Sequence, residues 1–480
     1  MEVDNRSLAA DIAVIGGGAT GLAAAVAAAE LGAKVVLLEK RRILGGNSNM
    51  AEGFFASESP AQKRMRIDAP NDVFFKIAMD YAHYRINPRV VRAFINKSGD
   101  TVRWLEEKGL YFDWIPHFIP NQSPRVWHCM RGYGAELTKV LAKECERLGV
   151  SILTKTRAEH VVVDGRGRMT GVQASTKNGD VTVNTKCVVV GTGGFGANKR
   201  LLAKHCQDYS PNMIHIGVRE VTGDGLRIAQ EMGAASEGLG HLQVVGPSFV
   251  KHDWQMEAVV GEPSTIWVNS RGERFVDESL TFNEFETGNA VLRQPERLCY
   301  CLFDSVVKRG MIEEGLAKGV GVLDCPPGSR LEGLDAKLAH YEQMGVVKSG
   351  RSWTHIAQWI GIEESLLQGS VNEYNAACAS RHDDTFAKDP RYLVALAEPP
   401  YYGVKCSASF LGTIGGIKIS EKMEVLDQND APIPGLYAGG ADTGGWESET
   451  YCVRLPGTTY GFALNSGRIA GENAAHFVGK

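Results

Sequence analysis

An α/β fold is predicted by three observations made close together near the N-terminus. Asp11-Ile12-Ala13-Val14-Ile15 reads as a short buried strand, and Gly16-Gly17-Gly18-Ala19-Thr20-Gly21 turns it into an Ala-rich helix. A second apolar strand, Val35-Val36-Leu37-Leu38, then ends on the carboxylate Glu39. Strand, glycine turn, helix, strand and acid in that order make a Rossmann-like βαβ unit of the dinucleotide-binding kind. Glycines there let backbone N–H groups approach a pyrophosphate at the positive end of a helix, and the acid meets a ribose hydroxyl.

Composition limits what else the chain does. Its 480 residues suffice for two or more domains with a large core. The formal net charge of −4 gives no basic field for nucleic acid or an anionic membrane. No apolar run approaches the roughly twenty residues of a bilayer span, and the opening MEVDNRSLAA is too polar for a signal peptide. A cytoplasmic protein is therefore expected. The ten cysteines lack CxxC, CxxCH or zinc-like spacing, so no metal, iron–sulfur or haem attachment is expected.

Further glycine clusters bear on which dinucleotide binds. Lys40 leads to a second turn, Gly45-Gly46-Asn47-Ser48, followed by Met50-Ala51-Glu52-Gly53. An NAD enzyme does not require such a loop, whereas an extended FAD is wrapped by one. Val188-Val189-Val190-Gly191-Thr192-Gly193-Gly194-Phe195-Gly196 is an apolar strand ending in glycines, and Gly435-Leu436-Tyr437-Ala438-Gly439-Gly440-Ala441-Asp442-Thr443-Gly444-Gly445 is another.

With Gly223-Asp224-Gly225, Arg454-Leu455-Pro456-Gly457 and Gly467-Arg468-Ile469-Ala470-Gly471, these pieces occur in family order. The chain resembles the flavoproteins of the fumarate reductase/succinate dehydrogenase type and their 3-ketosteroid dehydrogenase relatives, over most of its length. The resemblance implies FAD held by Gly16, Gly18, Ala19, Thr20, Gly21, Glu39, Lys40, Gly45, Gly46, Asn47, Ser48, Gly53, Ala158, Thr192, Gly193, Asp224, Gly440, Ala441, Asp442, Gly457, Thr458 and Tyr460. Some family members tether the cofactor to a histidine near the second glycine loop. No histidine lies between Met1 and Ala82, so non-covalent FAD is expected.

Family topology also implies a discontinuous FAD-binding domain, residues 1–242 and 411–480, interrupted by an α+β substrate-capping domain, 243–410. Within the insert, Thr265 to Val276 reads as a hairpin turning at Asn269–Gly272. A C-terminal helix is expected from Gly461 to Val478.

The chemistry implied is hydride transfer between flavin N5 and carbon. Reduction of an alkene also requires a polarised double bond and a proton donor. Arg454 matches the family's C-terminal substrate arginine, a fork of donors suited to a carboxylate or developing enolate. Other fumarate-specific groups are missing. Arg274-Phe275-Val276-Asp277-Glu278 matches a family segment, but Phe282 stands at the position of the proton-donating arginine. Glu257 matches the relay glutamate, yet Val260 replaces the relay arginine and Gly412 replaces a substrate histidine. A buried dicarboxylate left without these partners would lose about 1–3 kcal/mol per contact. An enoate, phenolic, flavonoid-like or steroid-like substrate is therefore expected in place of fumarate.

Tyr451 and Tyr460 flank Arg454 as candidate proton donors, against plain packing roles. His128 and His241 are weaker candidates, more easily read as satisfied polar groups; Tyr401 and Tyr402 resemble a family-wide structural segment and read as packing, and Glu447 and Glu449 read as solvated loop charges. Two other readings stay open: a 3-ketosteroid dehydrogenase, or an electron-transfer flavoprotein subunit without its own small-molecule substrate. The absence of haem and FMN-binding modules implies a separate electron donor, whether NAD(P)H, reduced flavin or a redox protein. A disulfide reductase is excluded, because no CxxxxC pair follows the βαβ unit.

Overall fold

Strand-forming apolar runs and glycine turns fall where the sequence places them in the computed structural model, which describes residues 6–120, 122–251 and 253–480. The chain divides into two units, one of Met1–Gln207, Gly217–Gln243 and Gly412–Lys480, the other of Asp208–Ile216 and Val244–Leu411. Residues 208–216 fall in the second unit, whereas the resemblance implied the first FAD-binding segment for them. Ile214 and His215 pair in parallel with Ser409 and Phe410, and that pairing draws the segment across.

The first unit is built on a six-stranded sheet. Its order is Glu424–Leu426, Pro432–Ala438, Val188–Val190, Ile12–Ile15, Val35–Glu39, Ser151–Thr154. All neighbours run parallel except Glu424–Leu426, which is antiparallel to Pro432–Ala438. The central strands are uninterrupted apolar runs because helices or a second layer cover both faces. A four-stranded sheet of Arg6–Ala9, Gly179–Asn184, Met169–Thr176 and Arg157–Val163 accompanies it.

The helix after the first glycine turn, Ala19–Glu30, crosses the C-terminal helix, Thr458–Phe477, at very short range. A Cβ on Gly467 would lie 2.3 Å from the Thr20 carbonyl oxygen, and one on Gly471 would lie 2.3 Å from that of Ala24. The GRIAG motif is thus a contact surface that brings two backbones together. The C-terminal helix starts earlier than expected because Thr458–Tyr460 already carry helical hydrogen bonds.

The second unit centres on the long strand Tyr401–Thr413, up to Leu411. It pairs with Leu298–Phe303 and Val347–Gly350, and Leu298–Phe303 pairs in turn with Ile266–Val268. The expected hairpin turn exists, with Asn269 N–H donating to Glu273 O and Gly272 N–H to Asn269 O. Its ladder partner, however, is Leu298–Phe303; the returning arm contributes only a bridge between Val268 and Arg274. Arg274 leaves the ladder for a buried charge cluster. It donates to Glu278 and Asp383, each at 2.9 Å, while Lys388 Nζ reaches Glu278 at 3.2 Å. Paired in this way, the four charges tolerate burial that none would tolerate alone.

Candidate active site

The first unit assembles its glycine segments around the N-terminus of helix Ala19–Glu30. That end has no side-chain cap from its own chain segment and no acidic residue in its first turn. The glycines there are not equivalent. Gly16 has φ +104°, and a Cβ on it would lie 2.2 Å from Gly191 O; one on Gly21 would lie 1.8 Å from Gly16 O. Both are demanded by the protein's own backbone. A Cβ on Gly18 would meet nothing nearer than Gly45 O at 3.6 Å. Its bareness leaves space in front of the helix end.

The second glycine loop lies alongside the first. Gly45 N–H donates to Gly17 O at 2.7 Å, Ser48 Oγ accepts from Ala19 N–H at 3.1 Å, and Asn47 Oδ1 accepts from Val218 N–H at 2.7 Å. Glu39 accepts from Gly17 N–H at 2.8 Å and Arg41 N–H at 2.7 Å. Each of its oxygens keeps a lone pair for a ribose hydroxyl.

Three buried polar atoms in these surroundings have no hydrogen-bond partner among the described residues: Asn49 Oδ1, Thr458 Oγ1 and Tyr460 OH. A buried unpaired polar atom costs about 1–3 kcal/mol. Finding three in the two segments expected to border FAD fits a polar cofactor lying between them. The Tyr460 ring meets Phe54 edge-on at 6.1 Å, and its hydroxyl approaches Gly134, as does the carbonyl of Ser48.

Other expected cofactor residues hold the glycine loops to one another. Asp442 is fully buried and accepts four hydrogen bonds. The backbone N–H and hydroxyl of Thr192 supply two, the latter at 2.8 Å; Gly193 N–H at 3.1 Å and Gly194 N–H at 2.9 Å supply the others. Burial pushes its acid constant up and the four donors pull it back. Asp224 sits between Lys40 and Arg157, each at 2.7 Å. Gly440 has φ +62° against Thr20, and Gly53 is bare where a Cβ would lie 2.7 Å from His128 O. Gly457, at φ +83°, starts the C-terminal helix over Phe55. Ala441 stands beside Gly194, and Ala158 is buried in the four-stranded sheet.

Arg454 is exposed, between Val453 and Leu455 at 2% and 1% exposure, and no ion pair engages it among the described residues. Tyr451 OH accepts from Gly457 N–H at 2.7 Å and Thr458 N–H at 3.0 Å, which caps the C-terminal helix. Burial raises the phenol constants of both Tyr451 and Tyr460. In the second unit, Glu257 Oε2 accepts from Phe249 N–H at 3.0 Å. Burial pushes Glu257 up to about 8, partly offset by that hydrogen bond.

His128 is a neutral core group: Nδ1 meets Val126 O at 3.0 Å, Nε2 meets Ser59 Oγ at 2.8 Å, and burial pushes it down to about 4. The carbonyl of His241 accepts from Ile414 N–H at 3.2 Å. Tyr401 and Tyr402 stack on Trp353 and Phe303 in the second unit. Glu449 pairs with Arg85 at the surface, whereas Glu447 is only 5% exposed. A solvated loop charge is therefore the wrong description of Glu447. The Thr459–Gln243 hydrogen bond at 2.9 Å also joins this region. Sequence reading passes over Gln243, Thr459 and Asn49, since single amides and hydroxyls carry no pattern.

The FAD binding domain family matches residues 11–451. Vinyl phenol reductase of Lactiplantibacillus plantarum is 34% identical over 98% of this chain and 97% of its own length. Among solved structures, the open conformation of a flavocytochrome c3 fumarate reductase superposes with a TM-score of 0.77 at 26% identity, covering 99% of this chain and 79% of that one. A 3-ketosteroid Δ1-dehydrogenase from Sterolibacterium denitrificans shares the fold, with a TM-score of 0.81 at 20% identity over 98% and 99% of the two chains.

Proposed function

This chain belongs to the FAD binding domain family, and from that premise we propose that it is an FAD-dependent reductase of a carbon–carbon double bond conjugated to a phenol-like ring or carbonyl, and not of fumarate. Bound FAD supplies hydride chemistry. The glycine segments around Gly18, Gly45 and Gly457 would hold it, without a covalent link, since no histidine precedes His83.

The observation that carries the reading is the exposed guanidinium of Arg454 set between the buried Val453 and Leu455. Its forked donors suit one oxygen that gains negative charge as the double bond is reduced. A dicarboxylate would need more. A Cβ on Gly412 would meet nothing within 4 Å, so the space a histidine would fill is left to a bulkier guest. Phe282 lies against Tyr392 at 6.0 Å, and Val260 is buried, so neither position offers a donor.

Two groups suit the proton-transfer role. Tyr460 is held protonated by burial and its hydroxyl has no partner among the described residues. Glu257, neutral up to about pH 8, is the second. The name of the vinyl phenol reductase relative supports a phenolic substrate. Electrons come from a separate donor, a reduced nicotinamide, a reduced flavin or a redox protein, and the working compartment is the cytoplasm. Among the described residues no helix is long and apolar enough to cross a membrane.

Anaerobic stopped-flow tests the reading. Photoreduced protein is mixed in turn with 4-vinylphenol, cinnamate, a steroid enone and fumarate. Fast reoxidation by an aromatic alkene and none by fumarate is expected. Reoxidation by fumarate alone, or only by a partner protein, would overturn it.

A further inference from the structure

The loop that carries Arg454 is braced from inside by its own side chains. Trp446 anchors the start, donating from Nε1 to Thr443 O at 2.9 Å and stacking on Phe462 of the C-terminal helix at 4.7 Å. Tyr451 anchors the end through its two hydrogen bonds to Gly457 and Thr458. Between them, the buried Glu447 carboxyl accepts from Cys452 N–H at 3.3 Å and Ser448 N–H at 3.2 Å. Cys452 O in turn accepts from Leu455 N–H at 2.9 Å. The chain from Glu447 through Cys452 to Leu455 therefore spans the peptide that presents Arg454.

We propose that Glu447 is a positioning residue for Arg454: its buried carboxyl fixes the turn from which the guanidinium reaches the substrate. This rests on the assignment of Arg454 to substrate binding. A carboxylate grips the two N–H groups more strongly than a neutral carboxyl does, so the brace tightens when Glu447 ionises. Burial pushes that ionisation up to about 7. The charged or titratable groups around it are Tyr451, Cys452 and Arg454 on its own loop. The facing segment contributes Tyr81, whose hydroxyl donates to Tyr451 O, and Arg85, which is paired with Glu449. Burial pushes the Tyr451 phenol and the Cys452 thiol up, away from neutrality.

The test compares wild type, Glu447→Gln, Glu447→Asp and Arg454→Ala, with 4-vinylphenol as substrate and kcat and KM measured from pH 6 to 8.5. Wild-type kcat/KM is expected to rise through an inflection near 7. Glu447→Gln should lose that inflection and raise KM about tenfold at pH 8, with the bound-flavin spectrum unchanged. Glu447→Asp should restore an inflection, since the carboxylate is kept. Glu447→Gln with wild-type constants and a wild-type pH profile overturns the proposal. If Arg454→Ala also turns over normally, the substrate role of Arg454 fails instead. If Glu447→Gln does not fold, Glu447→Asp carries the test: loss of the inflection near 7 although the carboxylate is kept overturns the proposal equally.

Discussion

Asp442 offers the sharpest test of how the glycine segments are joined. Its two oxygens accept three backbone N–H groups and one hydroxyl from Thr192, Gly193 and Gly194. In Asp442→Asn the best amide orientation keeps its oxygen on the N–H groups of Thr192 and Gly193. The new NH2 then faces Thr192 Oγ1, which it can satisfy, and Gly194 N–H, which it cannot. One buried N–H is left unpaired, at about 1–3 kcal/mol, and the remaining bonds lose their charge assistance. Relief from burying a charge offsets part of this, leaving a net loss of about 2–4 kcal/mol. The first unit contains 303 residues, from segments of 207, 27 and 69. At about 2.1 cal/mol/K per residue its unfolding entropy is about 0.64 kcal/mol/K, so the unfolding midpoint should fall by about 3–6 °C. Asp442→Ala, which leaves every donor unpaired and opens a cavity, should fall further. Thermal unfolding followed by flavin fluorescence, with flavin retention on gel filtration, reads both. An Asn variant within about 1 °C of wild type, or an Ala variant milder than Asn, would refute the clamp.

Further expectations concern function and packing. Arg454→Ala should keep the fold and the yellow colour but slow reoxidation by 4-vinylphenol by about 10²–10³-fold, the worth of about 3–4 kcal/mol of transition-state stabilisation; stopped-flow traces near the wild-type rate would contradict this. Gly412→His fills open space, so the fold should survive while KM for the aromatic alkene rises, measured by steady-state kinetics. Glu257 has a folded-state constant of about 8 against 4.5, so the native state binds its proton more tightly. Stability from this group is full below about pH 4.5 and is lost as pH rises through 8, by about 4–5 kcal/mol. Urea unfolding of Glu257→Gln should lack that decline even as turnover drops. Gly471→Ala gains about 1 kcal/mol of helix propensity but drives a methyl to 2.3 Å from Ala24 O. A net loss of about 1–2 kcal/mol in chemical denaturation is expected.

Much of the fold was legible because it obeys local rules. The strand Ile12–Ile15, the turn Gly16–Gly21, the strand Val35–Glu39 and the strand before Gly191 are each set by apolar run length and glycine placement. Less legible were contacts whose partners lie far apart along the chain. The hairpin at Asn269 exchanged its expected partner for Leu298–Phe303, because a continuous apolar strand buries more than the polar arm Glu273-Arg274 could.

The sequence by itself determined the nucleotide unit, the second glycine loop and Arg454 of the C-terminal motif. Each depends on residue type at short spacing. Tertiary structure alone decided what several of those residues do. Gly16 and Gly21 relieve backbone collisions while Gly18 leaves an opening, although the three read alike in the chain. Asp224 and Asp442 proved to be clamps between distant segments, and Glu447 a buried brace in place of a solvated charge. Burial and hydrogen-bond direction are properties of neighbours in space, and a one-dimensional pattern does not contain them.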